Sequence, residues 1–250
     1  ICRARYRATQ RGNFDRSRHE NGLTGRRGMR FPGPIVRILL WGVLSGSSLP
    51  VGQIRADISC TDLTSFTPKD TLITTTENVD TGTPHCKVAG VIEKEIKFEL
   101  LLPKEWNGRF MMGGGGAYVG SIQNQALAYG SGPGALERGY ATVGTDTGHV
   151  SSYVDGSWAL NNIERQENFG HRAVHLTAVT AKSIIERYYS RAPKYSYFVG
   201  CSRGGGQAMM ETQRYPEDFD GLVAGAPAYD WPGFRAGQIR TIQKMFPEET

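Results

Sequence analysis

From about residue 88 onward the apolar and polar positions fall into short regular blocks. Ile96, Phe98, Leu100 and Leu102 alternate with Lys97, Glu99 and Leu101, which predicts a strand with one buried face. Pro103 to Gly108 reads as a turn, and Arg109–Met112 as a short strand running into Gly113-Gly114-Gly115-Gly116. Tyr140–Gly144 is a further strand after Gly139. Residues 167–190 place Phe169, Ala173, Leu176, Val179, Ile184 and Tyr188 at helical spacing, with Pro193 just beyond. A strand follows over Tyr195–Val199, a helix over Gly204–Tyr215 that stops before Pro216, and a strand over Gly221–Gly225. Strands alternating with helices predict an α/β fold with a mostly parallel sheet.

Upstream of this region the pattern changes. The chain's formal charge of +5 is concentrated in residues 1–37, where ten arginines meet only Asp15 and Glu20. That head carries +8, which leaves −3 for residues 38–250. A basic head alone could suggest a nucleic-acid arm, but a mildly acidic body is a poor phosphate binder, so no nucleic-acid partner is expected. Residues 1–28 show no helical or strand period and read as sequence upstream of a start at Met29. Residues 29–54 then run from basic Arg30 and Arg37 through the apolar stretch Ile38–Leu44 to the small residues of Ser45–Ser48. This is the layout of a secretory signal, and the apolar stretch is too short to anchor stably in a membrane. Secretion or a periplasmic location is therefore expected, with residues 55–250 as the folded part. In an oxidising compartment cysteines pair. Cys60 and Cys86 bracket a polar, Thr-rich segment and are expected to bond to each other.

Gly200-Cys201-Ser202-Arg203-Gly204 matches the pattern G-x-S-x-G, which is weak alone. Its setting between a predicted strand and a predicted helix is what the nucleophile turn of α/β-hydrolases requires. The sharp turn crowds the backbone, so glycines are needed beside the serine. The turn also places the Ser202 hydroxyl at a helix N-terminus, which favours developing negative charge. Acyl transfer needs two N–H donors for the oxyanion. Arg203 supplies one from its backbone, and the loop Gly114, Gly115, Gly116 after the strand 109–112 is in the right order to supply the other. A phosphate-cradling loop is the competing reading, but no Gly-Lys-Ser/Thr follows. No histidine follows Ser202. His171 and His175 read as a helix-face pair, and His149, just after a strand end, could line the site. No metal site is read from these residues. The base is expected beyond residue 250, and the chain is expected to be the N-terminal part of a longer protein.

The longer motifs narrow this further. Gly200–Gly205, Gln213-Arg214-Tyr215-Pro216-Glu217-Asp218-Phe219-Asp220-Gly221 and Ala224–Ala228 strongly resemble the tannase/feruloyl esterase family. Phe110–Gly116, Thr145–His149 and Phe169–Tyr188 agree, so the resemblance covers about residues 58–250. It implies an α/β-hydrolase core of which the lid and C-terminal catalytic part lie outside this chain. It implies a secreted serine esterase acting on aromatic esters, hydroxycinnamoyl or galloyl, of plant polyphenols or cell walls. Ser202 matches the family's nucleophile. Cys201 matches a cysteine that pairs with one beside the catalytic His, so its partner is expected outside this chain. A calcium site is implied in the lid, and no cofactor in this segment. The alternative is a catalytically incomplete fragment or a binding module that keeps the fold.

Overall fold

A computed structural model describes residues 58–128, 132–152 and 154–246. The segments 1–28 and 29–54 therefore lie outside the described residues, and so does the expected signal. One seven-stranded sheet organises the described chain, in the order β1-β2-β3-β5-β4-β6-β7. Its strands are β1 (Thr71–Val79), β2 (His85–Ile92), β3 (Ile96–Pro103), β4 (Arg109–Gly113), β5 (Ala141–Thr145), β6 (Tyr195–Cys201) and β7 (Gly221–Gly225). The pairings β1–β2, β2–β3 and β3–β5 are antiparallel, while β5–β4, β4–β6 and β6–β7 are parallel. The sheet is thus mixed, with the parallel half toward the C-terminal strands. Parallel neighbours need long crossovers. Helix α2 (Ala173–Tyr189) fills the one before β6, and α3 (Arg203–Arg214) the one between β6 and β7.

Burial follows the predicted periods. In β3, Ile96, Phe98, Leu100 and Leu102 are buried, as the alternation requires. β5 is buried along its whole length, as a central strand should be. Helix α2 buries Ala173, Val174, Thr177, Ala178, Ala181, Ile184, Ile185 and Tyr188 against the sheet. Val179, expected on that face, is 48% exposed. Small residues form the buried stripe and let the helix approach closely, so the apolar pattern alone misplaces the face by part of a turn. Tyr189 closes the far end: its ring stacks on Trp106 at 4.2 Å and its hydroxyl donates to Pro103 O at 2.6 Å. Left-handed Ser190 then ends the helix.

The Thr-rich segment between Cys60 and Cys86 forms β1, and the two cysteines are disulfide-bonded as expected. The bond ties the 3-10 turn Thr61–Ser65 to β2. Before α2 the chain runs through α1 (Ile163–Glu167), started by Asn162, whose side chain accepts from Arg165 N, and a π-helical turn over Asn168–Arg172. Two ion pairs fasten this segment to the β2–β3 turn, Arg165–Glu95 at 2.8 Å and Arg172–Glu93. A last helix, α4 (Trp231–Met245), has no buried residue among those described. No helix among the described residues is long and apolar enough to cross a membrane.

Candidate active site

Ser202 stands at the junction of β6 and α3 with φ 60° and ψ −118°, a strained backbone for a side-chain-bearing residue. Neighbouring backbone holds it there. Its amide donates to Gly225 O at 2.9 Å, and its carbonyl accepts from Gly206 N at 3.1 Å and Ala228 N at 3.0 Å. The flanking glycines are required by contact. A Cβ on Gly200 would lie 2.3 Å from Gly204 O, and one on Gly204 would lie 2.6 Å from Gln125 Oε1 and 3.2 Å from Gly115 O. With these neighbours pressed close, the Ser202 side chain itself remains exposed. The first amides of α3, beginning with Arg203, have no carbonyl to reach within the helix and carry the positive end of its dipole.

The glycine loop lies against this same turn. Each of its amides, however, already has a protein acceptor. Gly114 N donates to Val199 O at 2.9 Å, Gly115 N to Gln207 Oε1 at 3.0 Å and Gly116 N to Gln123 Oε1 at 2.7 Å. The first two bonds are made inward, to the β6 backbone and to a buried glutamine. The third goes to Gln123, a half-buried side chain whose Nε2 also donates to Val119 O at 3.5 Å. Sequence patterns do not single out Gln123, Gln125 or Gln207, because a carboxamide that bonds backbone has no fixed motif. Their only signal is proximity to the glycine loop or the nucleophile turn.

The Arg203 side chain is buried at 3% exposure. Its guanidinium lies over the Phe169 ring, 4.2 Å from the centroid, and donates to the carbonyls of Phe169 and Gly170 in the π-helical turn. Burial pushes its pKa down to about 10. Arg203, the first residue of α3, is thereby tied to the segment leading into α2. His149 is buried rather than open to the site. Its Nε2–H donates to Tyr118 O at 2.8 Å and its ring stacks on Trp158 at 3.7 Å, so it reaches the site only by bracing the chain after the glycine loop. Burial lowers its pKa, which favours the neutral ring. Asp146 accepts from Lys97 N and Gly148 N, shaping the turn that carries His149, and burial raises its pKa to about 6. His171 and His175 each have a polar partner, Tyr215 Oη and Asp218 Oδ2, both at 2.7 Å. Among the described residues no histidine bonds to Ser202, and no cluster of three His, Cys, Asp or Glu side chains could hold a metal ion. Cys201 is buried and is not a free thiol; the expectation about its partner lies outside the described residues.

A mixed sheet whose parallel half ends in a strained serine, facing a helix N-terminus and a glycine loop, defines an α/β-hydrolase. The family model for tannase and feruloyl esterase matches residues 80–245, and the chain belongs to that family. It is 42% identical over 161 residues to a probable feruloyl esterase from Arthroderma benhamiae, covering 60% of this chain and 29% of that protein. It is 38% identical over 180 residues to a mono(2-hydroxyethyl) terephthalate hydrolase from Piscinibacter sakaiensis, covering 65% and 30%. The crystal structure of an esterase from Aspergillus oryzae superposes with a TM-score of 0.62 at 32% identity, over 68% of this chain and 37% of that one. The chain therefore spans about a third of the length of these relatives.

Proposed function

We propose that the full-length protein is a secreted or periplasmic serine carboxylic-ester hydrolase that acts on aromatic esters through an acyl-enzyme. The observation that carries this is the exposed Ser202, held at φ 60° between β6 and the free amides of α3. Ser202 Oγ attacks the ester carbonyl while its proton passes to a histidine downstream of this chain. The carbonyl oxygen becomes an oxyanion, received by the Arg203 amide and by Gly116 once Gln123 turns aside. The alcohol leaves with the proton, and water then releases the acid from Ser202. Gly114 and Gly115 shape the loop rather than donate to substrate. Support for an aromatic acyl group comes from the aromatic rings gathered just after the loop, where Tyr118 lies beside Phe169, Trp158 and Trp231. The names of the relatives agree, since feruloyl and terephthalate groups are both aromatic acids. The Cys60–Cys86 bond supports an oxidising compartment. Residues 29–54 are the proposed export signal. In the full-length protein, Ser202→Ala should lower turnover of an aryl ester by at least about 10⁴-fold. Turnover that survives the substitution rejects the mechanism.

A further inference from the structure

Strand β4 ends at Gly113, opposite Val199, while β6 continues to Cys201. Gly114 N still reaches Val199 O, but two residues later the β4 side of β6 has no strand beside it. Buried backbone groups left there would be costly. The Gln125 carboxamide fills the position. Its Oε1 accepts from Cys201 N at 2.7 Å and its Nε2 donates to Cys201 O at 3.4 Å, the two bonds a strand neighbour would make. Gln125 also touches the glycine loop, donating its own amide to Gly114 O at 3.1 Å. Its support is fixed in turn: the preceding Asn124 side chain accepts from Ala126 N and donates to Thr142 Oγ1 on β5 at 2.9 Å. One residue thus connects the residue before the nucleophile, through its side chain, with the loop expected to face the oxyanion, through its backbone amide.

We infer that Gln125 is a positioning residue that sets the spacing between the Ser202–Arg203 turn and the glycine loop, and so completes the oxyanion geometry. It touches neither substrate nor the reacting atoms. The inference rests on the esterase reading above. Displacements of about 1 Å at such a site cost on the order of 100-fold in rate.

The test uses the full-length protein and an aryl ester. Gln125→Leu removes both bonds and should lower kcat by about 100-fold. KM should stay within about threefold, because ground-state binding is untouched. Affinity for an aryl trifluoromethyl ketone, whose adduct places an oxyanion in the site, should fall with kcat, while affinity for the product acid should hold. Gln125→Glu keeps the acceptor for Cys201 N, but its ionised form cannot donate to Cys201 O. Its kcat relative to the parent should therefore rise as the pH is lowered and the carboxyl protonates. This second variant decides the matter if the leucine protein does not fold. Parent-like kcat in both variants, or a Gln125→Glu ratio that is flat with pH, overturns the inference. If Ser202→Ala abolishes turnover while the Gln125 variants run at the parent rate, only the positioning role fails. If Ser202→Ala is active, the esterase mechanism itself fails.

Discussion

At Ser202 the backbone takes up a conformation that its own side chain disfavours, and neighbouring residues impose it. Bonds to Gly225, Gly206 and Ala228 fix the peptide groups on either side. The glycines make room: a methyl group on Gly204 would meet Gln125 and Gly115, the two segments that must stay close to the nucleophile. Gly204→Ala should therefore destabilise by about 1–3 kcal/mol and lower kcat as the loop is pushed away. Gly237→Ala, where a Cβ would meet nothing within 4 Å, is the control and should be neutral or stabilising by up to about 1 kcal/mol. Urea unfolding of the two proteins side by side measures this, and equal stability would show that the turn has slack.

Between α2 and α3 lies a buried ionisable cluster that packing alone does not explain. His175 Nδ1–H donates to Asp218, and Lys182 donates to the Asp218 carbonyl with its ammonium 5.5 Å from the centre of the Phe219 ring. Glu211 on α3 is 1% exposed, and neither of its oxygens has a hydrogen-bond partner among the described residues. Burial, then repulsion from Asp218, raises its pKa well above the usual carboxylate range. A raised pKa means the protonated form is favoured by folding. The contribution is complete below the unfolded value of about 4.5 and is lost as pH rises toward the folded one. Glu211→Gln, neutral at every pH, should flatten the fall in melting temperature between about pH 5 and 9. Asp146, raised to about 6 by burial, adds the same sign of slope to both proteins and cancels in the comparison. Identical slopes for parent and variant would show that Glu211 is ionised in the native protein.

These elements also show what a sequence can reveal. Strand β3 was readable from its alternation, the short strands β4 to β7 as runs bounded by glycine or proline, helix α3 from its stop before Pro216, and Ser202 because the nucleophile turn requires glycines at fixed positions. Strand β1 was not, since only Ile73 is buried in it and Thr-rich polar residues face outward. Helix α4 was hidden for a similar reason: it contains Gly233, Gly237 and Pro232 and buries nothing, so neither propensity nor period marks it. The site divides in the same way. The serine and glycine loop carry backbone constraints that show in the residues, whereas Gln123, Gln125 and Gln207 act through tertiary contacts.

For the whole molecule, the net charge of +5 says little about function, because it sums +8 in residues 1–37 and −3 in residues 38–250. Strand β7 closes one edge of the described sheet with Val223 half exposed, and α4 presents Phe234, Ile239, Ile242 and Met245 to solvent. The central claim, that Ser202 is the nucleophile of an esterase, has a direct measurement. The full-length protein is mixed briefly with an aryl ester bearing a chromogenic alcohol, quenched in acid, digested and analysed by mass spectrometry. A burst of alcohol stoichiometric with enzyme is expected when deacylation is slow, with the acyl mass on the peptide containing Ser202. An acyl group on any other residue, or turnover with Ser202 never modified, would contradict it.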